Sequence, residues 1–332
     1  MGAGVPANQA GIAMQSLWLE NQKMEYRVDV PVPVPGKDQA LIRVRLAGVC
    51  RTDLELVRGY YPYTGIPGHE FVGEVIDSPG DLSWVNKRVV GEINIACGEC
   101  ATCKMGLPRH CERRKTLGIH DWDGVFAEFV VLPLVNLHAV PVTIPDELAV
   151  FTEPLAAACE ILEQVQIQPE EKVLVIGAGR LGLLVAQVLQ TSGCQLEVVT
   201  RYTKQQQLLA SREISTITEE SVGNKQYDLV IEATGSPRGF ISARQSVRPR
   251  GTIILKSTYT GDMPVNFSSL VVDEVSLIGS RCGPFEPALR LLEENRVDPK
   301  GLIDAVFPLE QGLIASEHAG SPGVLKVLIR PG

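Results

Sequence analysis

Two hydrophobic patterns divide this chain of 332 residues near residue 150. Up to that point, short runs such as residues 39–46 alternate apolar and polar positions and are broken by Gly and Pro, which predicts half-buried antiparallel strands. After residue 154, helical stretches alternate with short apolar segments that could face water on neither side. Such segments predict a parallel sheet covered by helices. They lie at residues 172–176, 196–199, 228–231, 252–255 and 275–278.

The change of pattern predicts two domains, as the length of the chain also favours. A β-rich domain covers residues 14–153, and we expect the tail, residues 283–332, to return to it. An α/β domain covers residues 154–282. Residues 1–13 are small and polar, without a basic segment or an apolar core, and are predicted to be a disordered leader.

Composition narrows the class of protein. A hydrophobic fraction of 45% and a charged fraction of 21% are ordinary for a globular protein. The net charge of −8 lacks the basic footprint of a nucleic-acid binder, and no apolar run approaches the roughly twenty residues of a membrane span. Eight cysteines without a secretory segment favour a reducing compartment, so we expect a cytoplasmic protein.

Four cysteines within fifteen residues are the strongest chemical signal: Cys97, Cys100, Cys103 and Cys111. Two short gaps let three thiolates turn inward on one loop, and the longer gap lets the fourth close a tetrahedron. All-cysteine ligation without an open position is typical of structural zinc. A redox pair needs only two thiols, and iron–sulfur spacings differ, with Pro rather than Glu112 after the last cysteine. The run therefore predicts a structural zinc.

A dinucleotide-binding fingerprint follows the apolar segment 172–176. It reads Gly177-Ala178-Gly179-Arg180-Leu181-Gly182 and opens an apolar helix. The first Gly permits a tight turn, the second lets backbone approach the pyrophosphate, and the third allows close packing of helix on strand. The helix N-terminus then supplies amide donors to the phosphates. This strand–turn–helix context predicts a Rossmann cofactor site.

The end of the next strand indicates which cofactor is bound. An NAD binder places Asp or Glu about twenty residues on, where it holds the ribose 2′-hydroxyl. Residues 199–204 contain no acid. Arg201 and Lys204 could instead pair with a 2′-phosphate, to which Thr200 or Thr203 could donate. The pattern favours NADP(H), with NAD(H) as the alternative if both cations are simply solvated.

Three separate pieces carry side chains that can bind zinc: Cys50-Arg51-Thr52-Asp53, Gly68-His69-Glu70 and Glu153-Pro154. Taken alone, each piece has another explanation. Cys50 also suits a buried thiol, His69 a histidine whose hydrogen bonds are satisfied, and Glu153 a charge at a helix N-terminus. The four-cysteine run, called the cysteine lobe below, and the glycine fingerprint lie in the same chain. Together with these two motifs, and in their order along the sequence, the three pieces resemble the zinc-dependent medium-chain alcohol and polyol dehydrogenases. The resemblance covers this chain from Met14 onward. The resemblance implies a GroES-like catalytic domain, a doubly wound Rossmann domain, and an active site in the cleft between them.

The resemblance implies a role for each residue of these motifs. It makes Cys50 and His69 ligands of a catalytic zinc, with Glu153 at the third-ligand position. Glu70 matches a glutamate that sits behind the metal and can replace Glu153. Asp53 should accept from the outer nitrogen of His69 and fix its tautomer.

The remaining matches concern the substrate and the cofactor. Thr52 matches the hydroxyl that hydrogen-bonds the substrate oxygen, and Arg51 matches a residue that pairs with the pyrophosphate, as Lys326 could from the last strand. The chain departs from many family members at Glu55, where they have a histidine that completes a proton relay.

These features together predict an NADP(H)-preferring alcohol or polyol dehydrogenase with two zinc ions per chain and a small alcohol or carbonyl substrate. One alternative is an NAD(H)-dependent sugar or amino-alcohol dehydrogenase. Another is a non-catalytic zinc-binding interaction protein on the same fold. The resemblance also implies a homodimer or homotetramer, for which the apolar strand near residues 275–279 could extend a sheet across a two-fold axis.

Overall fold

The computed structural model describes residues 11–258 and 262–332. In chain order, the strands of these ranges are β1 (Ala13–Glu20), β2 (Lys23–Pro31), β3 (Gln39–Gly48), β4 (Glu70–Asp77), β5 (Arg88–Gly91), β6 (Asn94–Ile95), β7 (Lys115–Thr116), β8 (Phe129–Pro133), β9 (Leu137–Ala139), β10 (Lys172–Ile176), β11 (Gln195–Val199), β12 (Ser215–Ile217), β13 (Tyr227–Glu232), β14 (Val247–Leu255), β15 (Ser276–Gly279), β16 (Ile303–Pro308) and β17 (Lys326–Arg330). The α-helices are α1 (Arg51–Val57), α2 (Ala101–Lys104), α3 (Asp146–Ala149), α4 (Thr152–Gln164), α5 (Arg180–Gln190), α6 (Thr203–Ala210), α7 (Pro237–Ser246), α8 (Phe267–Val272), α9 (Phe285–Glu293) and α10 (Gly312–Ala319).

The chain divides into two compact units. The first contains the described residues up to Glu153 together with Leu302–Gly332, and the second is Pro154–Gly301. Ala13, predicted to belong to the leader, is instead the first residue of β1 because that strand pairs Ala13 with Pro31 of β2. The first ten residues of the predicted leader lie outside the described ranges.

The segment between residues 283 and 301 lies in the second unit, not in the first as predicted. A Cβ on Gly283 would overlap the carbonyl oxygen of Ala156 in α4, so the backbone there lies directly against this helix. The Asp298 backbone N–H donates to Gln187 of α5 over 2.8 Å. These contacts move the second boundary from residues 282–283 to residues 301–302.

The second unit contains a six-stranded, all-parallel sheet in the order β12-β11-β10-β13-β14-β15. The strand order reverses between β10 and β13, which is the doubly wound Rossmann topology predicted from the apolar segments. Its core includes Leu174, Val230 and Ile253, which are fully buried. Ligands of such sheets bind beyond the carboxyl ends of the strands at the reversal point, and the glycine fingerprint directly follows β10 there.

The first unit contains a seven-stranded sheet in the order β16-β17-β3-β4-β5-β9, with β8 also paired to β3. Most of its pairs are antiparallel, and β16 pairs with β17 in parallel. Large apolar side chains close this core, among them Leu41, Leu46 and Phe126, each at most 1% exposed. The β-rich architecture predicted for the first domain is therefore confirmed. No described helix has both the length and the apolar character that crossing a membrane requires.

Candidate zinc and cofactor sites

The order of three neighbouring strands brings one group of functional side chains together. In the antiparallel pairing of β3 with β4, Gly48 lies opposite Glu70, and in the pairing of β3 with β17 it lies opposite Leu328. Cys50 follows the end of β3, while Glu70 begins β4 and Lys326 begins β17. One edge of the sheet therefore collects residues that are far apart in the sequence.

Three potential ligand atoms meet at this edge. The ligand atoms of Cys50, His69 and Glu70 all lie within 4.8 Å of one another. His69 is 3% and Glu70 1% exposed, and Cys50 is half-buried. Glu153, predicted at the third-ligand position, is half-buried in the first turn of α4 and lies outside this cluster in the described structure.

Asp53 orients the cluster from behind. One carboxylate oxygen lies 3.2 Å from His69 Nδ1, and the other accepts the Cys50 backbone N–H over 2.8 Å. Burial lowers the pKa of His69, but the nearby charges of Asp53 and Cys50 outweigh it and hold that pKa well above its usual value. With Nδ1 facing Asp53, Nε2 is the nitrogen available to a metal.

Lys326 forms a buried ion pair with Glu70. Their side chains are 3% and 2% exposed, and Lys326 Nζ also lies 5.6 Å from the centre of the Phe151 ring. Gly48 leaves the room for this pair, because a Cβ there would overlap Glu70 Oε2. The ammonium of Lys326 is therefore enclosed beside the cluster, and its contact with the pyrophosphate stays a prediction.

Two residues of α1 predicted to act at the site, Thr52 and Arg51, differ in their surroundings. Thr52 Oγ1 lies 3.7 Å from Cys50 Sγ, next to the cluster. Arg51 is 74% exposed and binds Glu55, over 2.9 Å, and Arg58 binds the same carboxylate over 2.8 Å. Glu55, which replaces the family's relay histidine, is therefore held between two guanidinium groups.

The four cysteines of the lobe also meet, with all sulfur atoms within 4.8 Å of one another. Cys111 Sγ lies 3.4 Å from Cys97 Sγ and 3.8 Å from Cys100 Sγ. A tetrahedral zinc with Zn–S bonds of 2.3 Å separates its sulfurs by about 3.8 Å. The spacing of these sulfurs therefore fits zinc.

The thiols of the lobe differ in pKa. Backbone N–H groups of Glu99 and Cys100 lower the pKa of Cys97 to about 6. Desolvation and the neighbouring thiols of Cys100 and Cys111 raise the pKa of Cys103 to about 12. Thiolates this close repel one another, so full ionisation needs a cation among them. The donor chemistry thus fits a dication, as does the sulfur–nitrogen–oxygen set of Cys50, His69 and Glu70.

The glycine fingerprint has the geometry expected of a phosphate-binding turn. Gly177 has φ +104°, and a Cβ there would lie 2.8 Å from the carbonyl of Ala233. A Cβ on Gly182 would overlap the Gly177 carbonyl oxygen, whereas one on Gly179 would meet no atom within 4 Å. The turn is packed tightly on its inner side and open at Gly179, so its backbone and the N-terminus of α5, which includes Arg180 and Leu181, fit a dinucleotide pyrophosphate.

A groove beside this turn contains one of the two predicted cations. Arg201 lines the groove together with Gln205. Gln205 Oε1 accepts the backbone N–H groups of Arg201 and Tyr202 over 3.2 and 3.3 Å. Lys204 is half-buried in the first turn of α6 and is not among the described residues that line the groove. Thr200 is buried behind it, 4% exposed, and its hydroxyl has no hydrogen-bond partner among the described residues.

Two charged residues of this groove were not predicted from the sequence. Glu219, in the short 3-10 helix Glu219–Ser221, binds Arg201 over 3.0 Å and lines the same groove, as does Arg238 at the start of α7. Local sequence carries no signal for either one. The parallel neighbours β11 and β12 would have suggested Glu219, since residues just beyond both strands meet.

The fold and these sites define a two-domain, zinc-type oxidoreductase with a nucleotide-binding unit, and comparison with known proteins agrees. Residues 36–142 match the alcohol dehydrogenase GroES-like domain, and residues 160–252 match the shikimate/quinate 5-dehydrogenase model. The chain is 30% identical to sorbitol dehydrogenase from Halalkalibacterium halodurans, over 91% of this chain and 94% of that relative. It is 28% identical to D-arabinitol dehydrogenase 1 from Uromyces fabae, over 96% and 97%.

Solved structures show the same architecture. An alcohol dehydrogenase from Escherichia coli CFT073, complexed with NADH, has a TM-score of 0.89 at 26% identity and covers 96% of this chain and 100% of its own. A structure described as a zinc-binding dehydrogenase from Sinorhizobium meliloti 1021, bound to NADP, has a TM-score of 0.89 at 25% identity, over 96% and 99%. The chain therefore belongs to the zinc-type medium-chain alcohol and polyol dehydrogenases, which are NAD(P)-dependent oxidoreductases.

Proposed function

We propose that this dehydrogenase transfers a hydride between a small alcohol or polyol, or the corresponding aldehyde or ketone, and NADP(H). The observation that carries this proposal is the meeting of the Cys50, His69 and Glu70 ligand atoms within 4.8 Å, beside the hydroxyl of Thr52. The relatives that oxidise sorbitol and D-arabinitol by name support a polyol as the substrate class.

Two zinc ions per chain are part of the proposal. Cys97, Cys100, Cys103 and Cys111 would hold the structural ion, and Cys50 and His69 the catalytic one. Two carboxylates compete for the third position of the catalytic site. The distances of the described structure favour Glu70, although its ion pair with Lys326 opposes ligation. Glu153 is the alternative.

The residues of the catalytic cluster then have distinct tasks. When bound, zinc would act as a Lewis acid that lowers the pKa of the substrate hydroxyl, and the nicotinamide would accept the hydride. Asp53 Oδ1, 3.2 Å from His69 Nδ1, would hold the ring in one orientation and leave Nε2 to bind the metal. The Thr52 hydroxyl can accept a hydrogen bond from the substrate hydroxyl and, as it takes up that proton, pass its own proton on to water.

The preference for NADP(H) rests on Arg201. Its guanidinium lines the groove beside the fingerprint, at the position where NAD binders have an acid. A guanidinium can bind a phosphate through two parallel hydrogen bonds. We propose that Arg201 recognises the 2′-phosphate, while the turn at Gly177, Gly179 and Gly182 holds the pyrophosphate.

A cytoplasmic homodimer or homotetramer completes the proposal. β15 is the outermost strand of its sheet, and Leu277 on it is 42% exposed. Val271 and Val272 of the preceding helix are 75% and 80% exposed. An exposed apolar edge strand can pair with its copy across a two-fold axis, which supports assembly through β15.

Metal analysis and a substrate panel on one preparation test the proposed function. The zinc-loaded protein should contain two zinc ions per chain and should turn over at least one member of a panel of alcohols, polyols and aldehydes with NADP(H). Cys50→Ser should lose one zinc and turnover but remain folded. Cys159→Ser is the matched control, because that buried thiol lies outside both clusters. Full turnover by Cys50→Ser would refute the catalytic assignment.

A further inference from the structure

The ion pair between Arg201 and Glu219 stands at the ends of two neighbouring parallel strands. Val199 of β11 lies opposite Ile217 of β12, and each charged residue follows its strand by two positions. Since parallel strands end at the same edge of a sheet, the two side chains meet there, with Nη2 3.0 Å from Oε2. The carboxylate of Glu219 therefore lies next to Arg201, the cation that the sequence predicts to bind the 2′-phosphate.

The carboxylate is part of the groove and not merely near it. Glu219 lines the groove beside the fingerprint and also the adjoining cavity, and Arg238 and Ser242 line both as well. Arg201 is 65% and Glu219 47% exposed, so both charged groups are accessible to a ligand. Ion pairs this exposed contribute little stability, and Arg201 can therefore exchange Glu219 for another anion at small cost.

The chemistry of the ribose gives this carboxylate a consequence. A free 2′-hydroxyl can donate to a carboxylate, which is the task of the acid in NAD-binding folds. A 2′-phosphate carries close to two negative charges and is repelled by a carboxylate on the same guanidinium. Glu219 thus supports binding of NAD(H) and opposes the attraction of Arg201 for NADP(H).

We infer that Glu219 determines cofactor specificity by offsetting Arg201, so that the groove accepts both nicotinamide cofactors with only a modest preference for NADP(H). Gln205 is a positioning residue here, because its carboxamide oxygen fixes the backbone N–H groups of Arg201 and Tyr202. The inference rests on the proposed binding of a nicotinamide cofactor in this groove.

Dissociation constants for NADPH and NADH test the inference directly. They are measured by dihydronicotinamide fluorescence on the zinc-loaded, full-length protein and on Glu219→Gln. Loss of the carboxylate charge should tighten NADPH binding roughly tenfold and leave NADH unchanged or weaker. The gain should shrink at about 0.5 M salt, because screening weakens exposed charge interactions. Glu220→Gln is the matched control, since Glu220 is exposed, adjacent and absent from the described lining of the groove.

A second variant separates this inference from the proposed function. Arg201→Gln should weaken NADPH binding about tenfold and change NADH binding little. If Glu219→Gln leaves the ratio of the two constants unchanged, or shifts it no more than Glu220→Gln does, Glu219 has no role in specificity and only the inference fails. If the unmutated protein binds neither cofactor, the proposed function fails and the inference with it.

Discussion

Removing the positive charge of Lys326 should destabilise the first unit strongly. Lys326 and Glu70 are 3% and 2% exposed, so each depends on the other for charge compensation. At a contact distance of about 3 Å and an effective dielectric constant of about 20, their attraction is ~5 kcal/mol. Lys326→Met leaves the carboxylate of Glu70 buried without this partner. We therefore expect the free energy of unfolding to fall by about 3–5 kcal/mol, the usual cost of breaking a buried pair.

The chain offers a convenient assay for this change. All three tryptophans, Trp18, Trp84 and Trp122, belong to the first unit, so tryptophan fluorescence in a urea titration reports its unfolding separately. The titrations are run with a chelator in excess, so that bound zinc neither shifts the stability of the folded state nor compensates the charge of Glu70.

A double variant and a surface control make the prediction refutable. Lys326→Met combined with Glu70→Gln removes both charges and should recover at least half of the lost stability, because no buried charge is then left alone. Lys23→Met breaks an ion pair whose side chains are 78% and 52% exposed, and its urea midpoint should not change measurably. Strictly additive losses in the double variant, or a midpoint for Lys326→Met equal to that of Lys23→Met, would show that the pair contributes no mutual compensation.

Two further predictions concern the glycine turn and the residue behind the histidine. Gly182→Ala should lower the unfolding midpoint of the second unit, because the new Cβ would overlap the Gly177 carbonyl oxygen. Gly179→Ala should instead fold normally, because a Cβ there meets no atom within 4 Å. It should weaken NADPH binding at least tenfold, since the methyl group would block open space that the pyrophosphate needs. Circular dichroism and fluorescence titration separate the two effects, and equal stability of both variants would contradict the packing argument. Asp53→Asn should lower zinc affinity of the catalytic site 10- to 100-fold, measured by competition with a chelator, because the carboxylate that orients His69 is lost. An unchanged affinity would mean that Asp53 serves only to cap α1 through the Cys50 backbone N–H.

The sequence predicted the sites whose signals are local. Four cysteines on one short loop and a glycine turn between strand and helix each occupy few residues, so spacing alone limits the possible geometry. The parallel sheet was predictable because strands buried on both faces must be apolar along their whole length. The family resemblance supplied the relation between Cys50 and His69, which their spacing in the sequence does not reveal.

The contacts that the sequence did not predict depend on which strands are neighbours. Glu70 and Lys326 are 256 residues apart and meet only because β17, from the end of the chain, pairs with β3. Strand order is a property of the whole sheet, and no local pattern reports it. The boundary near residue 301 was missed for the same reason, since the hydrogen bond from Asp298 to Gln187 joins distant segments.

The two unpredicted ion pairs each join a cation to a glutamate but differ in burial, and this difference separates their roles. Glu70 with Lys326 is almost fully enclosed, so exchanging either partner would leave an uncompensated charge at a cost of several kcal/mol. Arg201 with Glu219 faces solvent, where breaking the pair costs on the order of 1 kcal/mol or less. Binding of phosphate oxygens can offset the small cost of breaking the Arg201–Glu219 pair, but not the larger cost of breaking the Glu70–Lys326 pair. The enclosed pair therefore fixes the position of a candidate zinc ligand, whereas the open pair can respond to the cofactor.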